Sequence, residues 1–449
     1  MPPNTKPEKL LSAAIQVARK SGQIFIHSNR ADVNLFDGRD RQLVDGLFLF
    51  IIFHSYRDQF DHHIRQQIKA GDEPVHLDFH AKIIKELSSF GYSKQETDRY
   101  IAVFFQMRRA FYFINTTLPG KSLCMQHLRS RLWNNIFTHD IGLYVDLLWN
   151  RMEDFSTLLT GKTGTGKSVA ATAIGRSGFI PFDRKQGRFK ESFTRAFLSV
   201  NLSQIPDLLI ESELFGHARG SFTGAVKNHD GVFARSSRHG SVFLDEIGEL
   251  STRTQVKLLR ILQERSFSPV GSSRTLHFSG RVIGASNRDI GRLRQQKKFR
   301  DDFYFRLCSD TITIPSLRRR IEEDAGELEL LTDHLLTRIV GRRQPELLQQ
   351  VLQTLHASLP LEYAWQGNVR ELEQSIRRIL LSGSYEPGTD SCRSHQYDNI
   401  VQEIDQGSWS MAQLTAWYCN HLYEKYGTYQ QVARKTGLDR RTVKKYLAA

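Results

Sequence analysis

The sequence predicts an α/β fold in which a parallel sheet occupies the middle of the chain and helices occupy both ends. Between residues 128 and 312, short apolar runs typical of buried strands alternate with helical segments, as in a sheet with crossover helices. In residues 8–20 and 80–118, apolar side chains instead recur every three to four positions, which indicates helices. The strand-like runs are Phe155–Leu159, Phe197–Val200, Ser241–Leu244 and Arg281–Ala285.

These patterns divide the chain into several parts, since 449 residues exceed one ordinary domain of about 150 residues. The segment Ser382–Asp390 is rich in Ser, Gly, Pro and Asp, as linkers are. The predicted parts are a mostly helical sensory or regulatory domain at 1–127, an α/β core at 128–312, a helical region at 313–383, a linker at 384–405 and a helix-turn-helix at 406–449.

Composition limits the class of protein. The 62 Lys and Arg exceed the 48 Asp and Glu, and a net charge of +14 is compatible with a polyanionic partner without establishing one. The longest apolar run, Leu47–Phe53, is much shorter than the roughly 20 residues of a membrane span, and the N-terminus has no signal-peptide core. The four cysteines lie far apart without zinc-ligand spacing, so we expect reduced thiols in a cytoplasmic protein with no membrane partner.

A phosphate-binding loop follows the first strand-like run. Its eight residues match the G-x-x-x-x-G-K-[ST] pattern between a strand and a helix. Glycines let consecutive backbone N–H groups face a phosphate, the lysine reaches the outer phosphates, and the serine hydroxyl reaches Mg²⁺. The sequence therefore predicts a site for ATP and Mg²⁺ at Gly161, Lys162, Thr163, Gly164, Thr165, Gly166, Lys167 and Ser168.

Two acidic residues, Asp245 and Glu246, directly follow the apolar run Ser241–Leu244. In a parallel sheet this strand end can lie beside the phosphate loop, where a magnesium ion needs a second protein ligand. We therefore predict that Asp245 holds Mg²⁺ together with Ser168, and that Glu246 orients or deprotonates the attacking water.

From about residue 155 to 378 the sequence resembles the bacterial enhancer-binding proteins, which are AAA+ ATPases that activate sigma-54 RNA polymerase. Glu211–His217 and the following hexapeptide are similar to the surface loop with which that family contacts sigma-54. The family's usual sequence for this loop is GAFTGA, and here Ser221 stands in place of its first alanine. The resemblance implies an AAA+ core with a helical lid, and sigma-54 contact by Gly220, Ser221, Phe222, Thr223, Gly224 and Ala225.

The resemblance also implies roles for five polar residues. Asn201 is similar to a switch asparagine that hydrogen-bonds the catalytic glutamate, and Asn287 to a sensor that helps to place water. Arg300 and Arg306 are candidate arginine fingers for a neighbouring subunit in a ring, expected to be a hexamer built from dimers. Arg370 is similar to the lid residue that contacts the nucleotide. The basic segment 175–195 is an insertion to which no role is assigned.

The tail predicts a DNA-reading helix-turn-helix. Tyr429–Lys435 and Asp439–Leu447 flank a glycine turn, and Asp439 is a suitable N-cap for the second helix. The tail resembles the Fis-like domains of these activators, which implies a dimer on double-stranded DNA upstream of promoters. The predicted DNA contacts are Arg440, Arg441, Thr442, Lys444 and Lys445.

Together these features predict a sigma-54-dependent activator that uses ATP hydrolysis in a ring to remodel RNA polymerase. Two alternatives remain open from the sequence. One is a nucleotide-regulated DNA-binding repressor with little ATPase activity, and the other is an AAA+ enzyme that remodels a different target.

Overall fold

A computed structural model of the chain describes residues 7–360, 363–385 and 407–447. The chain divides into two units, Met1–Gln349 with Gly367–Ile376, and Gln350–Gln366 with Arg377–Ala449. Within the described ranges, no helix has the length and apolar character needed to cross a membrane.

The helices follow the predicted distribution. The first six belong to the N-terminal third, where the mostly helical prediction is confirmed. In chain order the helices are α1 Pro7–His27, α2 Gly38–Ser55, α3 Arg57–Ala70, α4 His80–Ser89, α5 Lys94–Thr117, α6 Leu123–Phe137, α7 Ile141–Leu143, α8 Lys167–Gly175, α9 Asp207–Phe215, α10 Val232–Arg235, α11 Thr252–Glu264, α12 Ile290–Gln295, α13 Asp301–Leu307, α14 Leu317–Glu323, α15 Gly326–Val340, α16 Pro345–Ser358, α17 Asn368–Ser382, α18 Met411–Tyr426, α19 Tyr429–Thr436 and α20 Arg440–Leu447.

A parallel sheet forms the centre of the first unit, as predicted, and it has five strands in the order β4 Phe197–Asn201, β5 Ser241–Asp245, β8 Arg281–Ser286, β1 Thr157–Thr160 and β9 Asp310–Thr313. Strand β9 lies outside the four predicted runs. The first strand begins two residues later than its apolar run, because the chain before it turns at Met152–Asp154. The strands are β1 Thr157–Thr160, β2 Phe182–Asp183, β3 Arg188–Phe189, β4 Phe197–Asn201, β5 Ser241–Asp245, β6 Ser266–Phe267, β7 Leu276–His277, β8 Arg281–Ser286 and β9 Asp310–Thr313; β2–β3 and β6–β7 are separate antiparallel pairs.

Two apolar layers cover the sheet. Helix α8 and the N-terminal helices bury Phe243, Ile283 and Ile312 on one face. Helices α9, α11 and α13 bury Leu158 and Leu244 on the other face. This arrangement follows from the strands, whose side chains alternate between the faces while both faces are apolar.

The N-terminal helices and the core are continuous in this unit. The predicted boundary at residue 127 falls inside α6, whose Leu128 and Leu132 are buried in the same cluster as the sheet residues. Helix α5 is buried over most of its length and starts with a capping box of Ser93 and Glu96. Because α6 runs across residue 127, a separate domain that ends there stays a prediction.

The insertion 175–195 forms the β2–β3 hairpin, which packs against the N-terminal helices. The backbone of Leu77 donates to the Gly187 carbonyl at 2.8 Å, and Arg184 forms an ion pair of 2.7 Å with Asp98. Phe189 stacks on Phe105 with ring centroids 4.1 Å apart. The segment without an assigned role in the sequence is thus one of the places where the helical region contacts the core.

The second unit contains the three C-terminal helices α18, α19 and α20. They share a small core of Cys419, Leu422, Val432 and Val443. Gly437 adopts φ 73° between α19 and α20, in the left-handed conformation that glycine allows. Most of the predicted linker 384–405 lies outside the described residues.

Candidate nucleotide-binding site

The phosphate loop connects β1 to the start of α8, as the pattern predicts. Gly164 and Gly166 adopt φ 76° and 106°, which side chains rarely allow. A Cβ atom on Gly164 would lie 2.1 Å from the Gly367 carbonyl oxygen, so glycine is required there for a close approach of the lid. The eight residues therefore form a curled loop at the carboxyl edge of the sheet.

Lys167 lies inside this loop and is 6% exposed. Its ammonium donates to the carbonyls of Gly161 at 2.9 Å and Lys162 at 3.3 Å. Burial lowers the pKa of Lys167, whereas the carboxylates of Glu246 and Asp245 act in the opposite direction. The loop thus encloses a positive group with two acidic residues nearby, which suits the phosphates of a nucleotide bound with a divalent cation.

Ser168 and Asp245 meet at the predicted metal position. The serine hydroxyl donates to the Asp245 carboxylate at 3.2 Å, although the two residues are 77 positions apart in the chain. Both side chains offer oxygen, the ligand type that Mg²⁺ prefers, and Mg²⁺ commonly takes only one or two protein ligands beside phosphate and water. The residues present therefore fit a magnesium ion.

Glu246 follows Asp245 with φ 59° and ψ 46°, a left-handed backbone conformation that is uncommon for a side-chain-bearing residue. Its carboxylate accepts from the backbone N–H of Asn287 at 3.2 Å. The Asn287 side chain donates in turn to the hydroxyl of Thr163 at 3.2 Å. Asn287 thus joins the predicted water-activating carboxylate to the phosphate loop.

Asn201 lies one strand away, where it is paired in register with Asp245. Its side-chain oxygen accepts from the Ser203 backbone at 3.1 Å and from the Ser203 hydroxyl at 2.8 Å. In this structure Asn201 therefore caps the turn after β4, and its proposed bond to Glu246 stays a prediction.

The start of α17 lies directly on the phosphate loop. Val369 donates to the Gly164 carbonyl at 3.0 Å, and a Cβ on Gly164 would lie 3.0 Å from the Cβ of Arg370. Arg370 is close enough to Lys167 to lower its pKa further. The structure thus brings the predicted lid arginine to the nucleotide site.

Asn368 is a site residue that sequence reasoning missed. Its side chain donates to the Thr163 carbonyl at 3.0 Å and accepts from the Leu317 backbone at 2.9 Å. It is buried and has φ 54°, a conformation that asparagine tolerates better than most residues. An asparagine after a glycine at a helix start was the available signal, but its partners are about 50 and 205 residues away.

Arg300 and Arg306 lie at the two ends of α13 and are exposed. The Arg300 guanidinium forms a bidentate pair with Asp302, at 3.0 and 2.7 Å, which raises the pKa of Arg300 and lowers that of Asp302. Arg306 donates to the Leu262 carbonyl at 3.0 Å. Among the described residues, neither side chain bonds to the phosphate loop of its own chain.

The hexapeptide Gly220–Ala225 forms a surface loop with a closed base. His217 and His229 exchange backbone hydrogen bonds of 3.0 Å, and Gly220 donates to the Ala225 carbonyl at 2.8 Å. Phe222 is 37% exposed and its ring lies against His217. Ser221 lies against Gly271, and its hydroxyl is buried without a hydrogen-bond partner. The loop presents Phe222, Thr223 and Gly224 to solvent.

In the second unit, the basic side chains of α20 are exposed. Asp439 accepts from the backbone of Arg441 at 2.8 Å and of Thr442 at 2.9 Å, so it caps the helix as predicted. The Thr442 hydroxyl also donates to Asp439 at 2.6 Å. The other predicted DNA contacts, Arg440, Arg441, Lys444 and Lys445, lie on the surface.

The comparisons with known proteins agree with this site. Residues 148–313 match the sigma-54 interaction domain, and residues 322–386 match the AAA+ ATPase lid domain. The transcriptional regulatory protein GlrR of Escherichia coli K12 is 39% identical over 227 residues, which cover 51% of this chain and 47% of GlrR. The nitrogen fixation protein VnfA of Azotobacter vinelandii is 38% identical over 226 residues, or 50% of this chain and 40% of VnfA.

The structure of NtrX from Brucella abortus in complex with ADP is similar over 83% of this chain and 80% of its own, at 19% identity and a TM-score of 0.45. The chain spans about half the length of the curated relatives that it matches. The two matched regions are the sigma-54 interaction domain and the AAA+ lid that the resemblance in the sequence predicted.

Proposed function

We propose that this protein is a sigma-54-dependent transcription activator that hydrolyses ATP in a ring and so remodels sigma-54 RNA polymerase for promoter opening. The observation that carries the proposal is the meeting of Ser168 with Asp245 at 3.2 Å, beside the link from Glu246 through Asn287 to the phosphate loop. A loop that only bound nucleotide would not need the Glu246 carboxylate fixed next to the predicted metal ligand Asp245. A cytoplasmic, bacterial location is part of the same proposal.

The residues of the site have separate tasks in this proposal. Lys167 and Arg370 bind the phosphates, because both place positive charge at the loop. Ser168 and Asp245 hold Mg²⁺, which neutralises charge on the phosphate oxygens when it is bound. Glu246 orients and polarises the attacking water, and the Asn287 backbone N–H fixes the position of its carboxylate.

Arg300 and Arg306 complete the site of a neighbouring subunit. Both are exposed on α13, and a guanidinium supplied across a subunit boundary can stabilise the charge that develops during phosphoryl transfer. Hydrolysis would then require assembly. We propose a hexameric ring built from dimers, with Asn201 as the switch residue that reports the nucleotide state.

The loop Gly220–Ala225 contacts sigma-54 in this proposal, because its base is fixed by backbone hydrogen bonds while Phe222 stays exposed at its tip. The tail binds double-stranded DNA upstream of promoters, with Arg440 and Arg441 near the helix start and Lys444 and Lys445 further along. Thr442 takes part through the capped start of α20.

The test is ATP hydrolysis measured against protein concentration for the wild type, Arg300→Ala and a control, Arg260→Ala. Arg260 is also exposed and paired with a carboxylate, Glu264 at 3.1 Å. We expect the rate per subunit to rise steeply with concentration in the wild type and in the control. Arg300→Ala should lower it by about 10³-fold, the scale of an arginine finger.

A low rate that is independent of concentration and unchanged by Arg300→Ala would contradict the ring and support the nucleotide-regulated repressor. The other alternative, an AAA+ enzyme that remodels a different target, is tested by measuring whether the protein with a transition-state nucleotide analogue retains purified sigma-54. Active hydrolysis without any retention of sigma-54 would support an enzyme that remodels a different target.

A further inference from the structure

A cavity of about 400 Å³ lies at the amino-terminal edge of the sheet, opposite the edge that carries the phosphate loop. Several separate segments of the first unit form its walls. They are helix α5 through Gln106, the segment before β1 through Trp149 and Glu153, the insertion through Phe179 and Lys190, and the starts of β5 and β8 through Ser241 and Arg281.

The buried guanidinium of Arg281 lines this cavity, and a second buried guanidinium, that of Arg109, bonds to the backbone of the lining residue Gly178. Arg281 is held by oxygens of Asn135, Thr157 and Phe155 at 2.8 to 3.1 Å. Arg109 donates to the carbonyls of Arg176 at 2.9 Å and Gly178 at 2.7 Å. Neither forms an ion pair within the part of the chain that the structure describes; neutral oxygens hold each guanidinium directly, and the carboxylates of Glu191 and Asp310 act on Arg109 and Arg281 at longer range.

The rim adds further positive charge. Lys190 and Arg238 line the cavity and are exposed. His239 also lines the cavity; burial lowers its pKa, and the positive charges of Arg238 and Lys190 lower it further. Glu153 is the single acidic residue among the lining side chains of the described chain. An anion entering the cavity would therefore meet a positive potential.

One wall is aromatic. Trp149 and Phe179 are both half-buried, and their ring centroids lie 4.6 Å apart at an angle of 60°. They come from different segments, the one before β1 and the insertion, and both line the cavity. Such a pair gives a planar apolar group a surface for stacking, and ligand sites commonly combine such walls with a few polar groups.

We propose that this cavity binds a small molecule in which an aromatic ring is joined to an anionic group, a carboxylate or a phosphate. The anion lies toward Lys190, Arg238 and His239, and the ring lies toward Trp149 and Phe179. The site differs from the nucleotide site, because it is formed by the amino-terminal strand ends and by residues of the N-terminal helices and the insertion.

A ligand here is placed to act on the nucleotide site. The cavity is lined by Ile174 near the end of α8 and by Ser177 and Gly178 just after it, and this nine-residue helix starts in the phosphate loop. Gln106 and Arg109 of α5 bond to the carbonyls of Ser177, Arg176 and Gly178 at the same point. The effector role rests on the proposed function, whereas binding can be tested without it.

Binding is tested with phenyl phosphate and the full-length protein labelled with 5-fluorotryptophan. The chain has five tryptophans, and the Trp149 fluorine resonance is assigned with Trp149→Phe. We expect this resonance to shift saturably, with half-saturation at about 10 mM or below, the range for a ligand of this size. Phenol has only the aromatic ring and inorganic phosphate has only the anionic group, so each should bind at least tenfold more weakly than phenyl phosphate.

The charge requirement is tested with Lys190→Glu/Arg238→Glu, which should weaken phenyl phosphate binding at least tenfold. The matched control Arg65→Glu/Lys69→Glu has the same change in net charge on the exposed side of α3, and it should bind as the wild type does. No saturable shift of Trp149, an equal shift in the cavity variant, or equal binding of phenol would overturn the proposal.

The effector role is measured by ATP hydrolysis at saturating phenyl phosphate. We expect the rate of the wild type to change at least twofold and that of Lys190→Glu/Arg238→Glu to stay constant. Binding without any change in rate would overturn the effector role. If the wild type hydrolysed no ATP either with or without the ligand, the proposed function would fail, while the Trp149 measurement would still decide the cavity.

Discussion

The two edges of the parallel sheet carry different chemistry. At the carboxyl edge, Ser168 donates to Asp245 at 3.2 Å and the Asn287 side chain donates to Thr163 at 3.2 Å, in an accessible site with few hydrogen bonds. At the amino edge, Arg109 and Arg281 are fully buried and hold several backbone and side-chain oxygens. The first arrangement can exchange partners with a ligand, whereas the second fixes neighbouring segments of the fold to one another.

This difference indicates which property each edge controls. Substitutions at the carboxyl edge should change hydrolysis and leave stability nearly unchanged, because few contacts of the folded chain are lost. Substitutions at the amino edge should lower stability first, because they leave buried carbonyl groups without a donor.

Glu246→Gln should give the largest effect. We expect ATP hydrolysis to fall by about 10² to 10⁴-fold, since an amide cannot take a proton from water. ATP affinity should change by less than about threefold, because Lys167 and Arg370 are untouched. Single-turnover hydrolysis and nucleotide titration measure the two quantities. The control Glu249→Gln alters a neighbouring carboxylate that pairs with Arg288, and a comparable loss there would remove the special role of Glu246.

Arg109→Ala should destabilise the fold by about 3 kcal/mol or more, because it leaves a large cavity and two unpaired carbonyls at the end of α8. Burial lowers the pKa of Arg109 to about 9, so the guanidinium is still charged at neutral pH. Urea unfolding measures the loss. Arg65→Ala, on an exposed face of α3, should stay within about 0.5 kcal/mol of the wild type, and an equal loss in both variants would contradict the comparison.

The buried His63 on α3 should make the unfolding free energy of the protein depend on pH. It is 2% exposed beneath Phe105 and Phe189, and burial lowers its pKa from 6.5 to about 4. Between these values the unfolded chain takes up a proton that the folded chain does not. The unfolding free energy therefore keeps its full value above pH 6.5 and decreases as the pH falls toward 4, because protonation of His63 favours the unfolded chain.

For the wild type we expect this residue to remove about 2 kcal/mol of unfolding free energy between pH 7.5 and pH 5.0. His63→Leu should show a pH loss smaller by that amount in urea unfolding. His62→Leu alters the exposed neighbour and should keep the wild-type pH dependence. Identical pH profiles for His63→Leu and the wild type would show that His63 is protonated equally in both states.

Ser221→Ala should have the smallest effect and the opposite sign. Removing a buried hydroxyl without a partner should raise the unfolding free energy by up to about 1 kcal/mol. Binding of sigma-54 should change by less than about twofold. The exposed Thr223→Ala should show the reverse, with unchanged stability and weaker binding. Loss of sigma-54 binding in Ser221→Ala would indicate that the hydroxyl acts at the contact itself.

The elements that the sequence predicted well are those with a fixed local spacing. The loop between β1 and α8, the carboxylates at the end of β5 and the Asp439 cap of α20 each belong to a pattern of fewer than about 20 consecutive residues, and the structure has these local features at the predicted positions. Their binding roles stay predictions. Asn368 was missed because its partners Thr163 and Leu317 are distant in the chain. The bond of Asn201 to Ser203 could not be predicted either, since several nearby donors compete for the same amide.

By itself, the sequence determined the α/β class, the positions of four of the five strands of the parallel sheet and the position of the phosphate loop between β1 and α8, because backbone geometry ties these properties to short patterns. Only the tertiary structure decided where the insertion 175–195 lies and what encloses the cavity at the amino edge. The physical reason is that burial and electrostatic balance depend on all neighbours of a group. For Arg109 and Arg281 those neighbours come from segments 67 to 146 positions away.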